Sequence, residues 1–111
     1  MERNFILQEV LRVGTNVSSS GDNIVIAAPG AGKRIAVLGY VIQAHGTVSA
    51  YFTDGAAGTR LGLTWSLQAR EGASVPLSPQ PWWIGTANTA LILNLNGAVE
   101  CGVEVTYLLV G

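Results

Sequence analysis

A strict alternation runs through the last part of the sequence. Val99, Cys101, Val103, Val105, Tyr107 and Leu109 fall on one side of an extended backbone, and Glu100, Gly102, Glu104 and Thr106 fall on the other. Successive side chains of a strand point to opposite faces, so a period of two over this length specifies a long antiparallel strand with one buried side. A helix would scatter the same residues around its circumference.

Shorter runs of the same character recur at 24–27, 35–44, 48–52, 60–67 and 91–95, all rich in β-branched or aromatic residues and none with a sustained helical period. Turn formers separate them: Ser18 to Asn23, Pro29-Gly30-Ala31-Gly32, Asp54 to Gly58, Glu71-Gly72, Pro79-Gln80-Pro81 and Asn96-Gly97. Asn96-Gly97, set between two alternating runs, predicts a two-residue hairpin and makes the last two long strands paired neighbours. The chain reads as eight or nine short strands with no helix long enough for a parallel crossover. It is therefore an all-β protein, a single antiparallel β-sandwich of jelly-roll type, with an immunoglobulin-like sandwich as the alternative. With 111 residues and no linker or repeat, residues 1–111 form one domain.

The run from Phe5 to Val13 is apolar on both faces over its first half. Lining one edge of a sheet would leave Phe5, Ile6 and Leu7 exposed to water. Residues 1–13 are accordingly read as a strand or arm that contacts a neighbouring subunit. Composition points the same way: 49% of residues are hydrophobic and only 12% charged, against roughly a quarter charged in an ordinary domain. So few charges leave part of the outer surface apolar, which is the mark of a chain that associates with copies of itself.

A net charge of −1 and a single adjacent basic pair, Lys33-Arg34, give no electrostatic attraction for phosphate backbones or anionic lipid. No apolar run reaches the ~20 residues of a membrane span, and the first residues, Met1-Glu2-Arg3-Asn4, lack a signal-peptide pattern. The expectation is a soluble product of the cytoplasm with neither nucleic acid nor membrane as partner.

Reactive constellations are scarce. Ala28-Pro29-Gly30-Ala31-Gly32-Lys33-Arg34 carries the Gly-Lys of a phosphate loop, but Ala27 stands where its first glycine belongs and Arg34 where its Ser or Thr belongs. The following Ile35-Ala36-Val37-Leu38 also reads as strand, whereas a phosphate loop opens into a helix. His45 and Cys101 are each the only residue of their kind, too few for a zinc site within one chain. Cys101 lies in an alternating apolar stretch and reads as a core thiol, His45 as a strand-end residue. Glu100 and Glu104 share a strand face with no recognisable cleft, and neither Asp22-Asn23 nor Asp54-Gly55 clusters the oxygens calcium needs. No catalytic residue, metal or cofactor is assigned, and the chain is read as a non-enzyme.

Pro81-Trp82-Trp83-Ile84 is the least routine surface element. Adjacent strand residues point to opposite faces, so at least one of the two indoles lies outside the core. Trp82 and Trp83 join Phe5, Ile6 and Leu7 as candidate interface residues. A sugar-stacking role for Trp82, Trp83 or Tyr51 is the alternative.

The stretch from Ser20-Gly21-Asp22-Asn23 through Ala27-Ala28-Pro29-Gly30-Ala31-Gly32-Lys33-Arg34 to Ile35-Ala36-Val37-Leu38-Gly39-Tyr40, with Pro81-Trp82-Trp83 and Gly102-Val103-Glu104-Val105-Thr106-Tyr107, resembles small β-sandwich proteins encoded among the virion genes of tailed phages. The resemblance covers most of the chain and rests on turn and strand-face residues. It implies a capsid decoration or cement protein, commonly a jelly-roll-like homotrimer seated on junctions between major capsid subunits at the virion surface, with no catalytic residues to carry over. A receptor- or carbohydrate-binding module of a tail, fibre or head spike is the other role it allows.

Overall fold

Among the described residues nine strands run in chain order: β1 (Leu11–Val17), β2 (Gly21–Ile26), β3 (Arg34–Ala44), β4 (Val48–Asp54), β5 (Thr59–Leu67), β6 (Gly72–Val75), β7 (Trp83–Ile84), β8 (Leu91–Leu95) and β9 (Cys101–Val110). The computed structural model describes residues 9–111, so Phe5, Ile6 and Leu7 lie outside the described residues. Within them there is no helix.

The strands form two antiparallel sheets. One has the order β1-β9-β3-β6, with β7 following β6 along the same edge of β3; the other has the order β2-β8-β4-β5. Setting the two-residue β7 aside, the first strand pairs with the last, the second with the next to last, the third with β6, and β4 with β5. This nesting is an antiparallel ribbon wrapped into two Greek keys, the jelly roll expected from the strand count. The immunoglobulin-like alternative is not the topology found.

Sequence alternation places the core. Val48, Ala50 and Phe52 of β4 and Leu91, Leu93 and Leu95 of β8 face Ile35, Val37, Tyr40 and Ile42 of β3 and Cys101, Val103 and Val105 of β9, all buried. Each large apolar side chain so buried contributes about 1.5–3 kcal/mol. Cys101 opens β9 rather than sitting in its middle. It is fully buried because its ladder partners Val17 and Ala44 flank it in β1 and β3.

The hairpin expected at Asn96-Gly97 is not formed. β8 and β9 belong to different sheets, and residues 96–100 carry the chain from one sheet to the other. Asn96 instead ties back to β4: its side-chain oxygen accepts from the Ser49 amide at 2.8 Å and its own amide donates to the Ser49 carbonyl at 3.1 Å. The Pro29–Gly32 segment does connect two strands, turning through left-handed Gly30 (φ 111°) and Gly32 (φ 78°), and Arg34 then opens β3 where a phosphate loop would open a helix.

β3 is not regular. An extra residue, Leu38, is inserted between Val37, which pairs with Tyr107, and Gly39, which pairs with Thr106. This bulge switches the alternation, so Ile35 and Val37 point inward before it and Tyr40, Ile42 and Ala44 after it. Val41 is thereby turned outward.

Candidate interaction surface

The reactive groups considered from sequence do not converge. Cys101 is inaccessible, and burial pushes its thiol up, with the charge of Glu100 adding to the effect; the nucleophilic thiolate is disfavoured. His45 follows β3 and stands 3.9 Å from Glu100 in an exposed pair. Glu104 lies 3.6 Å from Arg12 on the outside of the sheet, so the two glutamates have separate partners. No group of three or more potential metal ligands occurs among the described residues.

The two tryptophans part as their strand positions require. Trp83 turns inward and packs on Tyr40 and Phe52, with ring centroids 5.5 Å apart in both pairs. Gly62 of β5 makes room for it: a Cβ there would stand 2.6 Å from the indole. Trp82 turns outward and is 45% exposed, its ring nitrogen donating to the Pro76 carbonyl at 3.0 Å.

Trp82 belongs to a larger apolar surface. The Leu38 bulge leaves two carbonyls of β3 free to anchor the segment between β6 and β7: Ser78 donates to Leu38 at 3.0 Å and Trp82 to Val37 at 2.7 Å. That segment crosses the outer face of the five-stranded sheet above Gly39, where a Cβ would come within 3.1 Å of the Leu77 backbone. Leu77 is held up beside Val41, and both line one shallow depression with Arg12, Glu104 and Thr106. Toward the far end of the same face, exposed Ile84 pairs with Ala36, which is fully buried, and Ala36 in turn with half-buried Leu108. Val41, Leu77, Trp82 and Ile84 are 53, 68, 45 and 52% exposed. A water-facing sheet surface ordinarily carries polar residues at such positions.

Of the candidates named from sequence, the structure places Trp82 on this surface and Trp83 on the inner side, half-buried against the core. Val41, Leu77 and Ile84 were not singled out. The signal for Ile84 is the alternation Trp82-Trp83-Ile84 itself, whereas Val41 depends on a bulge that period-two reading does not reveal.

Neither a family model nor a curated protein sequence matches the chain. Among solved structures, it is similar to a protein of Bacillus endospore appendages, described as a novel family of disulfide-linked pili, with 14% identity over 92% of this chain and 88% of that one and a TM-score of 0.51. At that identity the likeness is one of fold. PirA aligns over 96% of both chains at 15% identity with a TM-score of 0.31, too low to bear on fold or function.

Proposed function

We propose that this chain is a non-enzymatic structural module that works by assembling with copies of itself and with other protein subunits. The observation that carries the reading is the outward apolar surface of the five-stranded sheet, where Val41, Leu77, Trp82 and Ile84 stand in water although the core is complete without them. Exposed apolar area of this kind is stabilised by covering it with another protein surface. The likeness in fold to an appendage protein is compatible with such a role. That protein is described as disulfide-linked; here the chain's one cysteine is buried, so assembly through these residues is non-covalent.

The resemblance to phage virion proteins gives the specific form of the proposal. The chain decorates a capsid, as a symmetric oligomer bound at junctions between major capsid subunits. Glycan recognition finds less support, because Trp83 is half-buried against Tyr40 and Phe52, and Tyr51, on the other sheet, has its ring under the Arg60 guanidinium at 4.3 Å. The test is co-sedimentation of the purified chain with expanded phage capsids lacking their decoration protein, run beside a glycan array. Saturable capsid binding supports decoration. Glycan binding without capsid binding overturns it in favour of the receptor role.

A further inference from the structure

The outer face of the five-stranded sheet has a second property besides being apolar: it is complementary to itself. Two neighbouring rows cross its middle. One consists of Arg12, Thr106 and Gly39, and the next of Gly14, Glu104, Val41 and Ser74. Large side chains in one row stand beside small ones in the other: Arg12 is next along its strand to Gly14, and Val41 to Gly39. The Arg12 guanidinium reaches Glu104 at 3.6 Å, so the centre of the face holds one cation and one anion. The single charged residue of β3, Arg34, is at the strand's end.

We propose that this face is a two-fold contact between copies of the chain, an inference that rests on the self-assembly reading above and names its surface. A two-fold axis lying across the strands, between the two rows, brings each row of one copy over the other row of its mate. Arg12 then fits over Gly14 of the second copy, next to that copy's Glu104. Glu104 faces Thr106. Val41 meets Leu77, which the anchored segment holds above Gly39. Each large group meets a gap or an apolar partner, and each charge meets its opposite, as an isologous contact requires. Strands β1, β9, β3 and β6, of 7, 10, 11 and 4 residues, present on the order of 500 Å², below the ~800 Å² per partner of a standard interface and in the range of a weaker, reversible contact. Val41 and Leu77 form the apolar part of the contact, with polar Thr106, Ser74 and Gln43 around them and the Arg12–Glu104 pair beside them.

The test is sedimentation velocity on the full chain and five variants, with circular dichroism and thermal melting to confirm that each is folded. Gly14→Tyr is the most informative single change, because among the described residues a Cβ at that site meets only Glu104 Cγ, at 4.0 Å, an ordinary contact that leaves the fold intact. It fills the gap that receives Arg12 of the second copy. Gly14→Tyr, Val41→Arg and Leu77→Asp are each expected to weaken self-association on the order of a hundredfold. Arg12→Glu and Glu104→Arg are each expected to weaken it alone, and a one-to-one mixture of these two variants to associate again. An ion pair confined within each chain cannot produce that recovery. Folded Gly14→Tyr and Val41→Arg proteins that sediment like the unmodified chain would overturn the contact while leaving self-assembly standing. A mixture that stays dissociated would also overturn it, and an unmodified chain that is monomeric would overturn both.

Discussion

The ring nitrogen of Trp65 donates a 2.8 Å hydrogen bond to the hydroxyl of Tyr40, tying β5 of one sheet to β3 of the other. Tyr40 also meets Phe52 edge-on at 4.7 Å and stacks on Trp83 at 5.5 Å. It is the hinge pin of an aromatic cluster that closes the sandwich along its β5–β6 side.

Replacing Tyr40 with Phe keeps the packing and removes the acceptor, which is expected to cost about 1–2 kcal/mol in chemical denaturation. Burial raises the Tyr40 pKa above its usual 10.0, with the Trp65 bond opposing. A phenol that titrates later in the folded state contributes stability that is complete below pH 10.0 and is lost as the pH rises through the raised folded value. The unmodified chain is therefore expected to lose stability above pH 10 more steeply than Tyr40→Phe. Parallel curves would contradict this assignment.

Gly62→Ala tests the support beneath Trp83. Gly62 has φ 74° and its Cβ direction points into the indole. The left-handed backbone and the overlap together predict a loss of roughly 2–4 kcal/mol, read from the denaturation midpoint and from a changed near-ultraviolet circular dichroism spectrum. Gly97→Ala, where a Cβ meets none of the described residues within 4 Å, is the control and is expected to leave both unchanged.

Asp22 links three segments: its carboxylate accepts from Asn94 Nδ2 and from the Ala57 amide, both at 2.8 Å. These bonds lower its pKa from 3.8, the Asn94 bond most strongly. A depressed folded value means that its contribution is present above pH 3.8 and disappears as the pH falls through the lowered folded value. Asp22→Asn is expected to flatten the acid limb of the stability curve below pH 3.8. An unchanged acid limb would show that these bonds do not persist in solution.

Much of this architecture is legible in the residues, and the failures have identifiable causes. The alternation from Val99 to Leu109 yields β9 and its buried face, and the adjacent tryptophans divide as their positions demand. β6 escapes notice because a strand of four residues owes its extended form to the edge of β3 rather than to a pattern of its own. Asn96-Gly97 misleads because turn propensity is local, while the pairing of β8 with β2 and β4 is decided by the whole wrap of the ribbon. Val41 is the instructive miss: a period of two run straight through β3 from Ile35 puts it inside, and the single extra residue at Leu38 puts it outside. One inserted residue thus moves a valine from the core to the candidate interface.

The part of the assembly reading that rests on sequence alone concerns Phe5, Ile6 and Leu7. Deleting residues 1–7 is expected to weaken oligomer formation while shifting the melting temperature by only a few degrees, as measured by gel filtration and thermal denaturation. An equal loss of both would place these side chains in the chain's own core.

The central claim is that the chain associates with itself, and its solution mass tests it most directly. Multi-angle light scattering of the purified protein at micromolar concentration is predicted to give a single multiple of the 11.6 kDa chain mass. A mass that stays at 11.6 kDa across that range would contradict the account.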